Sequence, residues 1–253
     1  MAKCASRWMC CGDVETMSKG YFITGTDTEV GKTRCTLGLM AALQQQGKTV
    51  VAMKPVASGC EETPEGLRND DALLLQAQAS LALPYESVNP YAFAPAIAPH
   101  LAAAQSGVTI RMETIVDRFM PMQGLAQVVL VEGVGGWLVP LNEQENVSDL
   151  AVVLGLPVIL VVGLRLGCIN HALLSAESIR AAGLELAGWI ANSVTPGMAA
   201  PEQNIQAIDQ RLGAPLLGHI PYLADLRAET FAAALSLERI ATAHSLEDPN
   251  QSD

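Results

Sequence analysis

The sequence predicts an α/β fold: a doubly wound, mostly parallel sheet with helices on both faces. Three observations predict it. Short runs rich in Val, Ile and Leu recur without clean alternation, as strands buried on both faces require. Longer stretches with helical spacing separate them, and that alternation implies right-handed crossovers between parallel strands. Half of the 253 residues are apolar but only 4% are aromatic, so small aliphatic side chains must fill the core, which suits helices packed closely on a sheet.

Residues 1–16 show neither strand nor helix period and precede a second methionine, Met17, so they read as a disordered leader or an alternative start. A secretory signal needs a continuous apolar stretch, which Arg7, Asp13 and Glu15 interrupt. Residues 17–243 read as a single domain and 244–253 as a polar tail. Strands are expected at residues 21–24, 49–53, 127–131, 157–162, 186–191 and 216–220. Helices are expected at 32–46, 70–81, 112–123, 148–154, 170–182, 202–212 and 228–241. Residues 84–99, rich in Pro and Ala, are expected to form a long loop, and long loops in compact domains are often functional.

The formal charge of −11 argues against nonspecific binding to nucleic acid or anionic membranes, yet leaves room for a local phosphate site. The longest apolar run, residues 154–164, is broken by Gly155 and Pro157 and falls short of the roughly 18 residues of a spanning helix. Six cysteines form no Cys-x-x-Cys pair and no zinc spacing with His, so they read as free thiols of a reducing, cytoplasmic compartment.

Ligands of such sheets bind at the carboxyl ends of the strands. After the first strand comes Gly25-Thr26-Asp27-Thr28-Glu29-Val30-Gly31-Lys32-Thr33, then a helix. A glycine-bearing loop that opens a helix offers free backbone N–H groups and a favourable dipole to an anion. Lys32 can reach β- and γ-phosphates, and the Thr33 hydroxyl can ligate magnesium. The loop departs from the strict P-loop pattern, because its first glycine is Gly25 and the pattern would place it at 26. The second strand ends at Lys54, where a lysine can neutralise charge that develops during phosphoryl transfer. The third ends in Glu132-Gly133-Val134-Gly135-Gly136: a carboxylate for the metal, then glycines that let the backbone approach a ligand. Thr33, Asp71 and Glu132 make a plausible magnesium set, with helix N-capping the competing role for Asp70 and Asp71. The fourth strand leads into Gly167-Cys168-Ile169-Asn170-His171, either a second anion-ready helix start or a plain helix capped by Asn170. His171 reads as a packing or capping residue and His219 as structural. A Gly-x-Ser-x-Gly elbow and a His-Glu-x-x-His motif are both missing, so hydrolase nucleophile chemistry is unsupported. Together these residues imply a P-loop site for ATP and magnesium with one additional lysine.

The wording of the motifs narrows this further. Gly25–Thr33, Lys54-Pro55-Val56-Ala57-Ser58-Gly59, residues 63–69, 131–137 and 166–172, Gly188–Asn192 and Pro215–Pro221 resemble the dethiobiotin synthetase family, over nearly all of residues 17–241. The resemblance implies a ligase of biotin biosynthesis that makes dethiobiotin from 7,8-diaminononanoate, carbon dioxide and ATP, as a homodimer with its site at the interface. It implies that Glu29, Val30, Gly31, Lys32 and Thr33 hold the phosphates with Glu132, Gly133 and Gly135 nearby, and that Thr33, Asp71 and Glu132 hold Mg2+. Lys54 and Lys32, with Thr28 close by, would stabilise the reacting oxygens. Ser58 would meet the diamine, Cys168, Ile169 and Asn170 the substrate carboxylate across the dimer, and Asn192, Pro221, Tyr222 and Leu223 the adenine. Two departures touch nucleotide contacts rather than the chemistry: Ser193 follows Asn192 where the family often has Asp, and the ribose-binding acid has no sure counterpart near Ala228 or Glu229. A partitioning-type ATPase would carry a further lysine where this chain has Asp27, and a catalytically silent nucleotide-binding regulator would not need Lys54.

Overall fold

The computed structural model describes residues 19–238 and residue 240. The expected leader, the expected tail and the end of the last expected helix lie outside the described residues. In chain order the elements are β1 (Lys19–Gly25), α1 (Lys32–Gln45), β2 (Val50–Met53), β3 (Val56–Ser58), β4 (Glu61–Thr63), β5 (Gly66–Arg68), α2 (Asp70–Gln78), α3 (Tyr85–Val88), β6 (Tyr91–Phe93), α4 (Pro99–Gln105), α5 (Met112–Leu125), β7 (Val128–Glu132), α6 (Val147–Leu154), β8 (Val158–Gly163), α7 (Cys168–Ala181), β9 (Leu186–Asn192), α8 (Pro201–Leu212), β10 (Leu216–Ile220) and α9 (Ala228–Ala232).

Six of these strands form one parallel sheet in the order β10-β9-β8-β1-β7-β2. The chain winds from β1 out to β2, returns through β7, and crosses to β8 on the other side of β1. That reversal opens a crevice above the carboxyl end of β1. Successive residues of β1 face opposite layers. Phe22 packs with Val129, Leu160 and the α5–α8 side, while Ile23 packs with Met40, Leu130 and the α1–α9 side. Every residue of β2, β7, β8 and β9 is buried. This is why their sequences lack alternation.

Four sequence expectations need correction. Residues 84–99 are not a bare loop, since they hold α3 and β6, β6 pairs with β3, and Pro99 starts α4. Proline is at home there because the first helical N–H needs no partner. Helix α2 stops at Gln78, where Ala79 turns extended and the Ser80 N–H bonds Val50 O at 2.8 Å. Helix α7 starts at Cys168 after Gly167 in the left-handed conformation (φ 96°), so Asn170 is not its cap. Helix α9 ends at Ala232, after which Leu235 bridges back to Gly218 of β10.

Candidate active site

The loop between β1 and α1 is held in a strained shape. Glu29 has φ 58°, a left-handed conformation that strains a residue with a side chain, and Gly31 has φ 83°, which glycine adopts freely. Strain like that at Glu29 clusters at ligand clamps. Asn192, at the end of β9, donates from Nδ2 to Val30 O at 2.9 Å. A Cβ on Gly31 would collide with that amide, so only glycine fits. Among the described residues no side chain caps the start of α1, which leaves its first N–H groups for an anion.

Lys32 lies 7% exposed and folds back, its Nζ donating to Asp27 O at 3.0 Å. Burial drives its pKa down to about 8, against the pull of the Glu132 carboxylate. Lys54 is 5% exposed, and its Nζ donates to Asp71 Oδ2 at 2.6 Å and to Glu132 Oε1 at 2.7 Å. Burial alone would lower its pKa, but Glu132 and Asp71 outweigh that and raise it. Burial likewise opposes the fall in the Asp71 pKa that Lys54 imposes, and Lys54 prevails. Glu132 is fully buried and accepts from Thr33 Oγ1 at 2.7 Å on Oε1 and from Thr36 Oγ1 at 2.9 Å on Oε2. A buried carboxylate needs such partners.

Thr28, Glu29, Gly31, Lys32, Thr33, Lys54, Ser58, Asp71 and Gly135 line one cavity of about 760 Å³. Glu132 lies beneath it. Residues 96–99 form part of its wall, so the Pro-rich segment does reach the site. Ser58 Oγ is buried without a hydrogen-bond partner. The donor set suits magnesium, because the Asp71 and Glu132 carboxylates already converge on one cation, the Lys54 ammonium, and the Thr33 hydroxyl donates to the same Glu132 Oε1 at 2.7 Å. Among the described residues no three His, Cys, Asp or Glu side chains cluster into a metal cage. A magnesium ion here would therefore complete its shell with phosphate oxygens and water.

The structure leaves other expected residues outside this cavity. Cys168 is buried, and neither it nor Ile169 nor Asn170 lines the wall. Pro221, Tyr222 and Leu223 follow β10 and do not line it either, and Tyr222 is 57% exposed. Asn192 braces the loop from behind, while Gly133 donates its N–H to Ile23 O at 2.9 Å. Asp71 lies in the first turn of α2, which Asn69 caps by accepting the Ala72 N–H at 3.2 Å, so neither Asp70 nor Asp71 is the cap. His219 stands in β10 and shares a 3.1 Å hydrogen bond with Ser193 Oγ. Sequence reasoning missed Thr36, although a hydroxyl one helical turn after Lys32 was a readable signal. It also missed the ion pair between Arg165 and Asp27, which ties the β8–α7 turn to the phosphate loop.

Known proteins resemble this chain in sequence and in fold. A family model described as an AAA domain matches residues 19–230. A Pseudomonas paraeruginosa protein, "ATP-dependent dethiobiotin synthetase BioD", is 56% identical over 218 residues, covering 86% of this chain and 96% of that protein. Its namesake from Chromohalobacter salexigens is 51% identical over 230 residues, covering 86% and 97%. Among solved structures, the MinC:MinD cell division complex of Aquifex aeolicus aligns with TM-score 0.54 at 16% identity, over 93% of this chain and 99% of that one. A ParA family ATPase from Chlorobium tepidum aligns with TM-score 0.51 at 15% identity, over 89% and 93%. These two share the P-loop fold alone. Identity above one half over nearly the whole chain decides the family: this chain belongs to the ATP-dependent dethiobiotin synthetases, which are ligases.

Proposed function

We propose that this chain makes dethiobiotin from 7,8-diaminononanoate, carbon dioxide and ATP. The observation that carries the reading is Lys54, a buried lysine outside the phosphate loop whose ammonium is held in the loop's own cavity. Nucleotide binding alone does not need it.

One amine of the diamine adds to carbon dioxide, losing a proton to give a carbamate. A carbamate oxygen attacks the γ-phosphorus and ADP leaves, which forms a carbamic–phosphoric anhydride. The second amine then attacks the carbonyl carbon, closes the ureido ring and expels phosphate. Magnesium, bound by Thr33, Asp71 and Glu132, would neutralise charge on the phosphate oxygens. Lys32 and the loop N–H groups grip the phosphates, and Lys54 offsets the negative charge of the carbamate and the transferring group. Ser58, with its unpartnered hydroxyl in the cavity, meets the diamine. Thr28, at the cavity mouth, orients the phosphate side.

The substrate carboxylate is received at residues 168–170 of a second copy. What supports a homodimer is that these residues lie off the Lys54 cavity of their own chain. Asn192 and residues 221–223 receive the adenine. The net charge of −11 supports small-molecule substrates rather than nucleic acid or membrane. No helix among the described residues is long and apolar enough to cross a membrane, which is compatible with a cytoplasmic setting.

The test is ADP release with ATP, magnesium, bicarbonate and the diamine, omitting each in turn. ADP that needs both diamine and bicarbonate, with a cyclic urea product, supports the reading, and Lys54→Ala abolishes it. ADP formed equally fast without the diamine overturns it in favour of a general ATPase.

A further inference from the structure

The Lys54 and Asp71 side chains meet at 2.6 Å although they belong to different elements. Lys54 follows β2, and Asp71 lies in the first turn of α2. The chain between them runs through the small β4–β5 hairpin, whose residues are exposed or half-exposed. Such a connection does not fix the distance between two catalytic groups, so a tie must come from elsewhere.

The tie is a buried polar chain. Lys54 is gripped through its backbone at both ends: its N–H donates to Val88 O at 2.8 Å, and its carbonyl accepts from Asn89 Nδ2 at 2.7 Å. Asn89, 3% exposed, also donates to Tyr91 O at 3.1 Å. Its Oδ1 accepts the Tyr85 hydroxyl at 3.0 Å. That hydroxyl in turn accepts the Asn69 N–H at 2.8 Å. Asn69 caps α2 two residues before Asp71. Each polar atom of the Asn89 amide and of the Tyr85 hydroxyl is therefore spoken for by one side of the site or the other. Arg68 stacks on the Tyr85 ring at 4.2 Å and holds its plane. A fully satisfied buried network is rigid. Helix α3, which carries Tyr85, has four residues and is too short to persist on its own.

The geometry points to Tyr85 and Asn89 as positioning residues that set Lys54 against Asp71, and through Asp71 set the magnesium-binding oxygens. The inference rests on the proposed ligase reading for its kinetic arm and on the proposed magnesium set for its binding arm.

The experiment compares wild type with Tyr85→Phe, which keeps the ring and its Arg68 contact but removes the hydroxyl. Asn89→Ser is the second variant, and Ile115→Val, in the core of α5, is a control for lost packing. ADP affinity is read by calorimetry with and without magnesium, and kcat and KM for ATP are read in the diamine-dependent assay. In Tyr85→Phe the metal-free ADP affinity stays within about twofold of wild type, because the phosphate loop is untouched. The gain in ADP affinity from magnesium falls at least fivefold, and kcat falls about tenfold or more with little change in KM, as small misplacements of reacting groups do. Asn89→Ser follows the same pattern, and Ile115→Val lowers the melting temperature without it. If Tyr85→Phe melts lower but keeps both kcat and the magnesium effect, the network is structural only and the proposal is wrong. If the wild type shows no diamine-dependent turnover, the ligase reading fails, and the magnesium arm still decides the positioning role.

Discussion

Asn192 at the end of β9 and Val30 in the phosphate loop are joined by a 2.9 Å hydrogen bond across 162 residues of sequence. The bond converts a strand end into a brace for the loop. It also excludes any side chain at position 31, because Gly31 turns its missing Cβ toward the same amide at φ 83°. An adenine contact for Asn192 is a proposal, whereas its bond to Val30 O shapes the glycine-bearing loop.

Gly31→Ala is therefore expected to lose more than tenfold in ADP affinity and about 1–3 kcal/mol of stability, from left-handed strain plus collision. The double variant Gly31→Ala/Asn192→Ala relieves the collision but not the strain. It recovers part of the loss, and calorimetry with urea melts on the four proteins of the cycle measures the coupling. Strict additivity of the two single effects would show that the amide does not crowd position 31.

Glu132 accepts three hydrogen bonds in a site with no exposure, from Thr33, Thr36 and Lys54. Removing one partner leaves a buried charge uncompensated. Lys54→Met is expected to destabilise the chain by about 3–5 kcal/mol in urea unfolding. Adding Glu132→Gln to Lys54→Met gives back part of that, since the stranded charge is gone. Thr36→Val is expected to have a smaller effect, about 1–2 kcal/mol, because one neutral donor is lost. A Lys54→Met chain as stable as wild type would mean that the Lys54 contacts to Glu132 and Asp71 do not stabilise the fold.

The buried Lys32 gives a pH signature. Its pKa of about 8 in the folded chain lies below the ordinary 10.5, so the unfolded chain binds its proton more tightly. Its burial penalty is fully felt below pH 8 and is relieved as pH rises from there toward 10.5. Lys54 and Tyr21 run the other way. The Lys54 contribution is present below 10.5 and lost above it, as its raised folded pKa is passed. Burial, with help from Glu185, pushes Tyr21 up to about 12, so its contribution is lost between 10 and 12. Burial also raises the thiols of Cys35 and Cys60, whose loss of stability above about pH 9 opposes the Lys32 gain. The Lys32 part is therefore read as a difference: between pH 8 and 10 the wild type should gain stability relative to Lys32→Met, with a slope limited to about 1.4 kcal/mol per pH unit. ADP phosphates restore the Lys32 charge, so ADP binding at pH 9 takes up a proton, which calorimetry in two buffers of different ionisation enthalpy detects. Proton uptake unchanged by Lys32→Met would assign the proton elsewhere.

The sheet was legible because its strands are buried on both faces, and Val128 to Val131 or Val158 to Val162 have no other stable home. The loop lysine and threonine, Lys54, Asp71 and Glu132 were legible because each follows a strand or opens a helix at the crevice. The segment from 84 to 99 was not. Its prolines signal a loop, yet Pro84 and Pro99 occupy helix starts, where proline is tolerated. Tyr85 and Asn89 escaped because their hydrogen-bond partners are chosen by tertiary proximity, which no local spacing encodes. The end of α9 escaped for a similar reason: a bridge from Leu235 to Gly218 overrides continued helical periodicity.

Gly38 offers a prediction whose sign separates packing from propensity. It lies in the middle of α1 and is buried, and in an ordinary helix Gly→Ala stabilises by about 1 kcal/mol. Here an added Cβ would stand 2.6 Å from Phe231 Cβ and 3.3 Å from the Ala232 backbone nitrogen, both in α9. These neighbours cannot yield like the tip of a flexible side chain, so α9 must lift from α1. Phe231, 4% exposed, then loses much of its burial, worth about 1.5–3 kcal/mol for such a side chain. Gly38→Ala is therefore expected to destabilise the chain by about 1–2 kcal/mol net and to raise hydrogen exchange in α9 while β1 and β7 stay protected. A stabilised Gly38→Ala chain would show that α9 yields to a Cβ at position 38 without losing its packing, and that helix propensity alone governs the position.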